Sequence, residues 1–195
     1  MMKIHYKELS IMIYISKGIV REHSSEALVR IHHCGKDYQL KGLEAALWLN
    51  GQFGFSSAQS SWATEHLQRM GLIEKEADDS PVSRYRILSR CICCPVIPQK
   101  QRLPLRRANS DLMRWLEKAG LRLSTAELVY LTEHGIVPSE NLLCEENRHA
   151  LVSLIYTNNS IRENTLELQM EYAKCRDTVV KSLLYLLRRK RLVLV

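Results

Sequence analysis

The sequence predicts a mixed fold of the α+β class, mostly helical, in two domains, with a small antiparallel β-hairpin sheet preceding the first. Three observations predict it. Residues 10–40 are rich in Ile, Val and Tyr and are broken by turn residues, which is the pattern of short strands. From residue 41 onward, apolar residues recur at three- and four-residue spacing behind Ser and Thr caps, the pattern of amphipathic helices. Between them, the window PVIPQKQRLPLRRAN over residues 95–109 holds three prolines and no acid, a composition that forbids a regular helix. The expected domains are therefore 1–94 and 110–195, joined by a basic proline-rich linker over 95–109.

Taken in order, the strands are expected over about 11–20, 27–33 and 37–40, with breaks at His23-Ser24-Ser25 and Cys34-Gly35-Lys36-Asp37. Leu43, Ala46, Leu47 and Leu49 pattern a helix that stops near Gly51 to Gly54. Ser56 and Ser57 are expected to cap a second helix that reaches Met70 and ends at Gly71. Its polar face would be Ser57, Ser60, Ser61, Thr64 and Gln68. Leu72-Ile73 and Arg84 to Leu88 then read as two strands around a polar, acidic tip at Ala77 to Ser80.

Beyond the linker, Ser110 reads as the cap of a helix carrying Leu112, Met113, Trp115 and Leu116 and closed by Gly120. Ser124 or Thr125 caps the next, over Ala126 to His134, with Gly135 as terminator. Pro138 opens a turn, and Glu145 to Tyr156 and Ile161 to Tyr172 read as two further helices. In the last stretch, RDTVVKSLLYLLRRKRLVLV, Val179, Val180, Leu183, Leu184, Leu186 and Leu187 share one helical face. The chain then changes period, and Leu192 to Val195 read as a short buried strand.

Composition narrows the function classes. Of 195 residues, 46% are hydrophobic and 25% charged, an ordinary globular balance, and the net charge of +7 favours an anionic partner. Nucleic acid is the commonest such partner; anionic lipid and acidic peptide are the others. No run of about 18 uncharged apolar residues occurs, so no membrane span is expected. Ile11 to Ile15 is too short a run for a signal-peptide core. A cytoplasmic location follows as the expectation, in which the six cysteines are thiols or metal ligands rather than disulfides.

Cys91-Ile92-Cys93-Cys94 contains the Cys-x-x-Cys spacing that lets two thiolates hold one metal, with His32, His33 or Cys34 as the only source of further ligands. Two adjacent ligands are too few, so Cys91 and Cys93 read as small inward hydrophobes and no metal or cofactor is expected. There is no Gly-rich phosphate loop, no G-x-S-x-G and no H-E-x-x-H, and the chain reads as a non-enzyme.

Opposite the apolar stripe of the last helix lie Thr178, Lys181, Ser182, Tyr185, Arg188 and Arg189. Cations for phosphates and hydroxyl or forked donors for base edges are what a helix in the major groove of DNA requires. Arg84 and Arg86 on the expected hairpin, with Arg106 and Arg107 in the linker beside Lys100 and Arg102, would add phosphate contacts.

By element order and capping, residues 41–90 and 110–195 each resemble the winged-helix members of the helix-turn-helix superfamily. That resemblance implies a DNA-binding regulator of transcription acting on double-stranded DNA, usually as a homodimer. Residues 10–73, strands followed by helices, are also similar to small winged-helix peptide-binding modules, which implies an adaptor or assembly subunit binding peptide or protein without DNA.

Overall fold

The computed structural model describes residues 11–25, 28–96, 105–118, 123–143, 148–156 and 165–195. It is a mixed α/β fold of helices and small antiparallel sheets. Four strands come first: β1 (Ile11–Ser16), β2 (Ile19–Ser25), β3 (Leu28–His33) and β4 (Lys36–Lys41). The single strand expected over 11–20 is two. The chain turns at Lys17-Gly18, where φ of +107° at Gly18 suits a residue without Cβ, and the halves enter different sheets. β2, β3 and β4 form an antiparallel meander, whose β3–β4 turn places Cys34 and Gly35 at φ 48° and 77°.

α1 (Gly42–Asn50) follows and buries Ala45 and Trp48. The Trp48 indole donates to the Lys17 carbonyl at 2.9 Å and the Ser16 hydroxyl donates to the Trp48 carbonyl at 2.7 Å, fixing α1 on the β1–β2 turn. Gly51 is required by close approach, since a Cβ there would lie 2.5 Å from Ser16 Oγ.

Two expected elements differ. Ser56–Gln59 is a strand, β5, paired with β1, and the helix behind it, α2 (Trp62–Arg69), begins at Ser61. Ser61 accepts from the Thr64 amide while Thr64 accepts from the Ser61 amide, a reciprocal cap, whereas Ser56 and Ser57 lie in the strand paired with β1. β6 (Ile73–Glu76) pairs with the other edge of β1, giving sheet order β5-β1-β6. The strand expected at Arg84 to Leu88 is instead helix α3 (Pro81–Ser89). Ser80 accepts from the Ser83 amide at 3.1 Å and Pro81 supplies a preset first turn, so the supposed hairpin tip is a helix start. The first expected wing is therefore absent.

β7 (Cys93–Pro95) pairs with the last strand, β8 (Leu192–Leu194). α4 (Arg107–Lys118) begins inside the expected linker rather than behind Ser110. α5 (Thr125–Glu133) is capped reciprocally by Ser124 and Glu127. α6 (Glu140–Leu143), α7 (Arg148–Tyr156), α8 (Thr165–Met170) and α9 (Arg176–Arg188) complete the chain. Lys100 and Arg102, and the starts expected for helices at 145 and 161, lie outside the described residues.

β1 divides two cores. Met12 and Tyr14 point into one, with Val29, Ile31, Leu40, Trp48, Leu67 and Ile73. Ile13 and Ile15, on the opposite face, join Tyr85, Ile87, Leu88 and the buried faces of α4, α5, α7, α8 and α9. Residues on both sides of 95–109 thus share the second core. Polar ties cross it too: the Thr125 hydroxyl donates to the Leu88 carbonyl and the Tyr85 hydroxyl to the Glu167 carbonyl, each at 2.9 Å. Among the described residues, no helix is long and apolar enough to cross a membrane.

Candidate nucleic-acid interface

α9 buries Val179, Val180, Leu183, Leu184, Leu186 and Leu187, an arc of roughly 160° at 100° per residue. The rest of its circumference is open, and Thr178, Lys181, Tyr185 and Arg188 are exposed along it. Among the described residues, Lys181 and Arg188 have neither a hydrogen-bond nor an ion-pair partner. Ser182 sits at the edge, half-buried, in a pocket with Asp111, Trp115, Thr132 and Thr178.

Both ends of α9 are anchored. Its first turn has no side-chain cap, but the Cys175 amide before it donates to the Glu133 carboxylate at the end of α5, at 2.9 Å. At the other end, the Arg191 amide reaches the Leu186 carbonyl and the Lys190 amide the Leu187 carbonyl, both at 2.9 Å. This closure holds Lys190 at φ 55°, in the left-handed region usually given to glycine. It gathers Arg188, Arg189, Lys190 and Arg191 into one tight basic turn, at the helix end whose partial charge is negative.

The loop 52–55 between α1 and β5 runs along that turn. The Lys190 ammonium lies 5.1 Å from the Phe53 ring centre, and the Arg84 guanidinium 5.6 Å from that of Phe55. A side chain built at Gly54 would meet Arg188 at 3.6 Å. On α9 itself, Arg189 covers the Tyr185 ring at 5.3 Å. Three cation–ring contacts therefore lie along α9, the 52–55 loop and the start of α3, with Asp79 and Asp177 lining the cleft between Arg84 and Lys181.

The structure brings together Thr178, Lys181, Tyr185, Arg188 and Arg189. Arg84 joins them across a cleft it shares with Lys181, Val180 and Leu184. Its charge is compensated, because Asp79 accepts from it at 2.6 and 2.8 Å and has its carboxyl held below the usual range by that contact. Arg86 is not part of the surface. It leaves α3 toward the end of α8, where Glu171, just past the helix, takes it at 2.6 and 2.9 Å. Arg106 and Arg107 are exposed at the start of α4, and no described contact joins them to the α9 face.

Phe53, Phe55 and Lys190 were not among the residues expected from sequence. A signal existed for the rings: the chain has only two phenylalanines, and both flank Gly54 in a loop rather than lying in an apolar run.

The cysteine stretch has a different character. Cys91 and Cys93 are buried in the second core, Cys91 donates to the Ile87 carbonyl at 3.3 Å, and burial pushes both thiols up, that of Cys93 to about 12. No group of three or more His, Cys, Asp or Glu is placed to hold a metal ion among the described residues. The α9 surface offers positive charge, hydroxyl groups and the Tyr185 ring. Compared with models of protein families, with curated proteins and with solved structures, the chain matches none.

Proposed function

We propose that the protein is a binding protein for double-stranded DNA, acting as a regulator of transcription, with the outer face of α9 as its reading element. The observation that carries this is the pairing of Lys181 and Arg188, uncompensated on the open arc of α9, with the basic turn and its aromatic supports. Uncompensated cations exchange counterions for phosphates, which is the main source of affinity for a duplex. Thr178 and Tyr185, between them, carry hydroxyl donors that can reach base edges. Phe53 and Tyr185 hold Lys190 and Arg189 against the surface, which lowers the ordering cost of long side chains on binding.

The winged-helix reading is narrower than the sequence implied. It rests on α9, which is followed directly by β8, and on the pairing of β8 with β7 from the other side of the 95–109 window. Arg86, engaged by Glu171, drops out of the proposed contact set, and Arg84 contributes only if Asp79 releases it. Fluorescence anisotropy of a labelled duplex across a salt series tests the reading: affinity falling steeply as salt rises supports it.

One observation favours a second reading. β2 is an edge strand whose Ile19 is 44% exposed, and it borders a groove with Val20, Phe53, Pro95 and Val193. An extended peptide could add there as a strand, in keeping with an adaptor role. Such binding would respond little to salt and would survive loss of Lys181 and Arg188.

A further inference from the structure

The tip of the β3–β4 hairpin carries chemistry that neither reading of the function uses. Cys34 is the exposed cysteine among those described, and it occupies the first position of a two-residue turn at φ 48°. Both central residues of that turn have positive φ, a geometry in which Asn, Asp and Gly are the usual occupants. A cysteine held there projects its thiol into solvent at some backbone cost.

Beside it, the His33 Nε2 lies 3.5 Å from Cys34 Sγ. His33 is only 6% exposed, and its Nδ1 is buried with no hydrogen-bond partner. The ring is fitted between two glycines in the left-handed region. A Cβ at Gly18 would press on His33 Cβ at 3.3 Å, and one at Gly71 would meet Nε2 at 3.6 Å. Among the described residues, the buried imidazole thus has one hydrogen-bond contact, the Cys34 thiol. Burial, and then the nearby charges of Lys17 and His32, hold it in the neutral form at lower pH than an ordinary histidine. Lys17 is itself bound to Glu74 and His32 to Asp37, and Lys36 opens β4 opposite His33.

We propose that Cys34 and His33 form a nucleophilic thiol–imidazole pair, and that the β3–β4 turn is a site of covalent modification by small disulfides. Neutral Nε2 takes the Cys34 proton, and the thiolate sulfur attacks one sulfur of R–S–S–R. A Cys34–S–S–R bond forms as the R–S–S–R bond breaks. The departing RS⁻ takes the proton back from Nε2, so that protein thiol plus disulfide gives mixed disulfide plus RSH. Cys91, Cys93 and Cys175 are unsuited to this, since burial pushes their thiols up.

The test uses the full chain and a neutral probe, bis(2-hydroxyethyl) disulfide, which the protein's positive charge neither attracts nor repels. Peptide mass spectrometry is expected to find the adduct on Cys34. At pH 6.5 its rate constant should exceed that of free glutathione by about tenfold, the excess shrinking toward pH 9 as the free thiol ionises unaided. His33→Gln should remove the excess. If that variant does not fold, the wild-type excess at pH 6.5 and its decline with pH decide by themselves. Cys34 reacting no faster than glutathione at pH 6.5, or an adduct that avoids Cys34, would overturn the proposal.

Discussion

Glu171 shows how much one side chain can hold. Its carboxylate, 8% exposed, accepts two hydrogen bonds from Arg86 on α3, and its carbonyl accepts from Arg176 at the start of α9. The Arg86 contact holds its carboxyl below the usual range, so the unfolded chain binds a proton there at a pH where the folded chain does not. That contribution to stability is complete above the ordinary glutamate value of about 4.3 and is lost as pH falls through the folded value. Melting temperature should therefore drop on acidification below about pH 4.3, and Glu171→Gln should be less stable at pH 7 while losing part of that acid dependence. A Gln variant with an unchanged acid profile would show that other carboxylates govern it. Tyr85→Phe removes a part-buried hydrogen bond to the Glu167 carbonyl and should cost about 1 kcal/mol in urea unfolding. Cys34→Asn places at the hairpin tip a residue that tolerates its backbone conformation, and should keep or raise stability by up to about 1 kcal/mol.

The elements differ in how openly the sequence announces them. α9 was legible because six apolar residues crowd one arc of the helix and no Gly or Pro interrupts it. α5 was legible because Ser124 and Thr125 offer a cap before its apolar residues and Gly135 a stop after them. α3 was misread because Arg84-Tyr85-Arg86-Ile87 alternates polar and apolar like a strand. Its partners explain the alternation: Arg84 and Arg86 turn to separate carboxylates while Tyr85, Ile87 and Leu88 enter the core. The break at Lys17-Gly18 was passed over because the apolar run resumes at once with Ile19 and Val20. Of the candidate site, the α9 residues were visible in sequence. The part supplied by the 52–55 loop was not, because it depends on a contact between positions more than a hundred residues apart. For α9 the two faces should respond oppositely to mutation. Leu186→Ala, fully buried, should cost about 2–5 kcal/mol in chemical denaturation. Lys181→Ala and Arg188→Ala should stay within about 0.5 kcal/mol of wild type.

At the scale of the molecule, β1 decides the architecture. Its alternating residues enter two cores, so one strand binds the meander and α1 to the C-terminal helices. The second core draws Ile13, Ile15, Tyr85, Ile87 and Leu88 from before residue 95 and most of the rest from after 105. A chain of two independent domains would yield two soluble halves when divided at 95–109. A shared core predicts that residues 105–195 expressed alone are aggregated or unfolded by circular dichroism, and that co-expression with residues 1–96 restores a soluble complex. Recovery of a cooperatively folded 105–195 fragment would contradict this.

The same arrangement places the basic turn of α9 against a loop from the N-terminal half, so the proposed DNA surface is complete only in the assembled chain. The most direct measurement of that claim is duplex affinity against salt concentration for the wild type, Lys181→Ala and Arg188→Ala, with melting temperature recorded on the same samples. The account predicts that log affinity falls linearly with log salt. Each substitution should weaken binding and reduce the slope by about 1, with melting unchanged. Affinity insensitive to salt, or untouched by both substitutions, would contradict it.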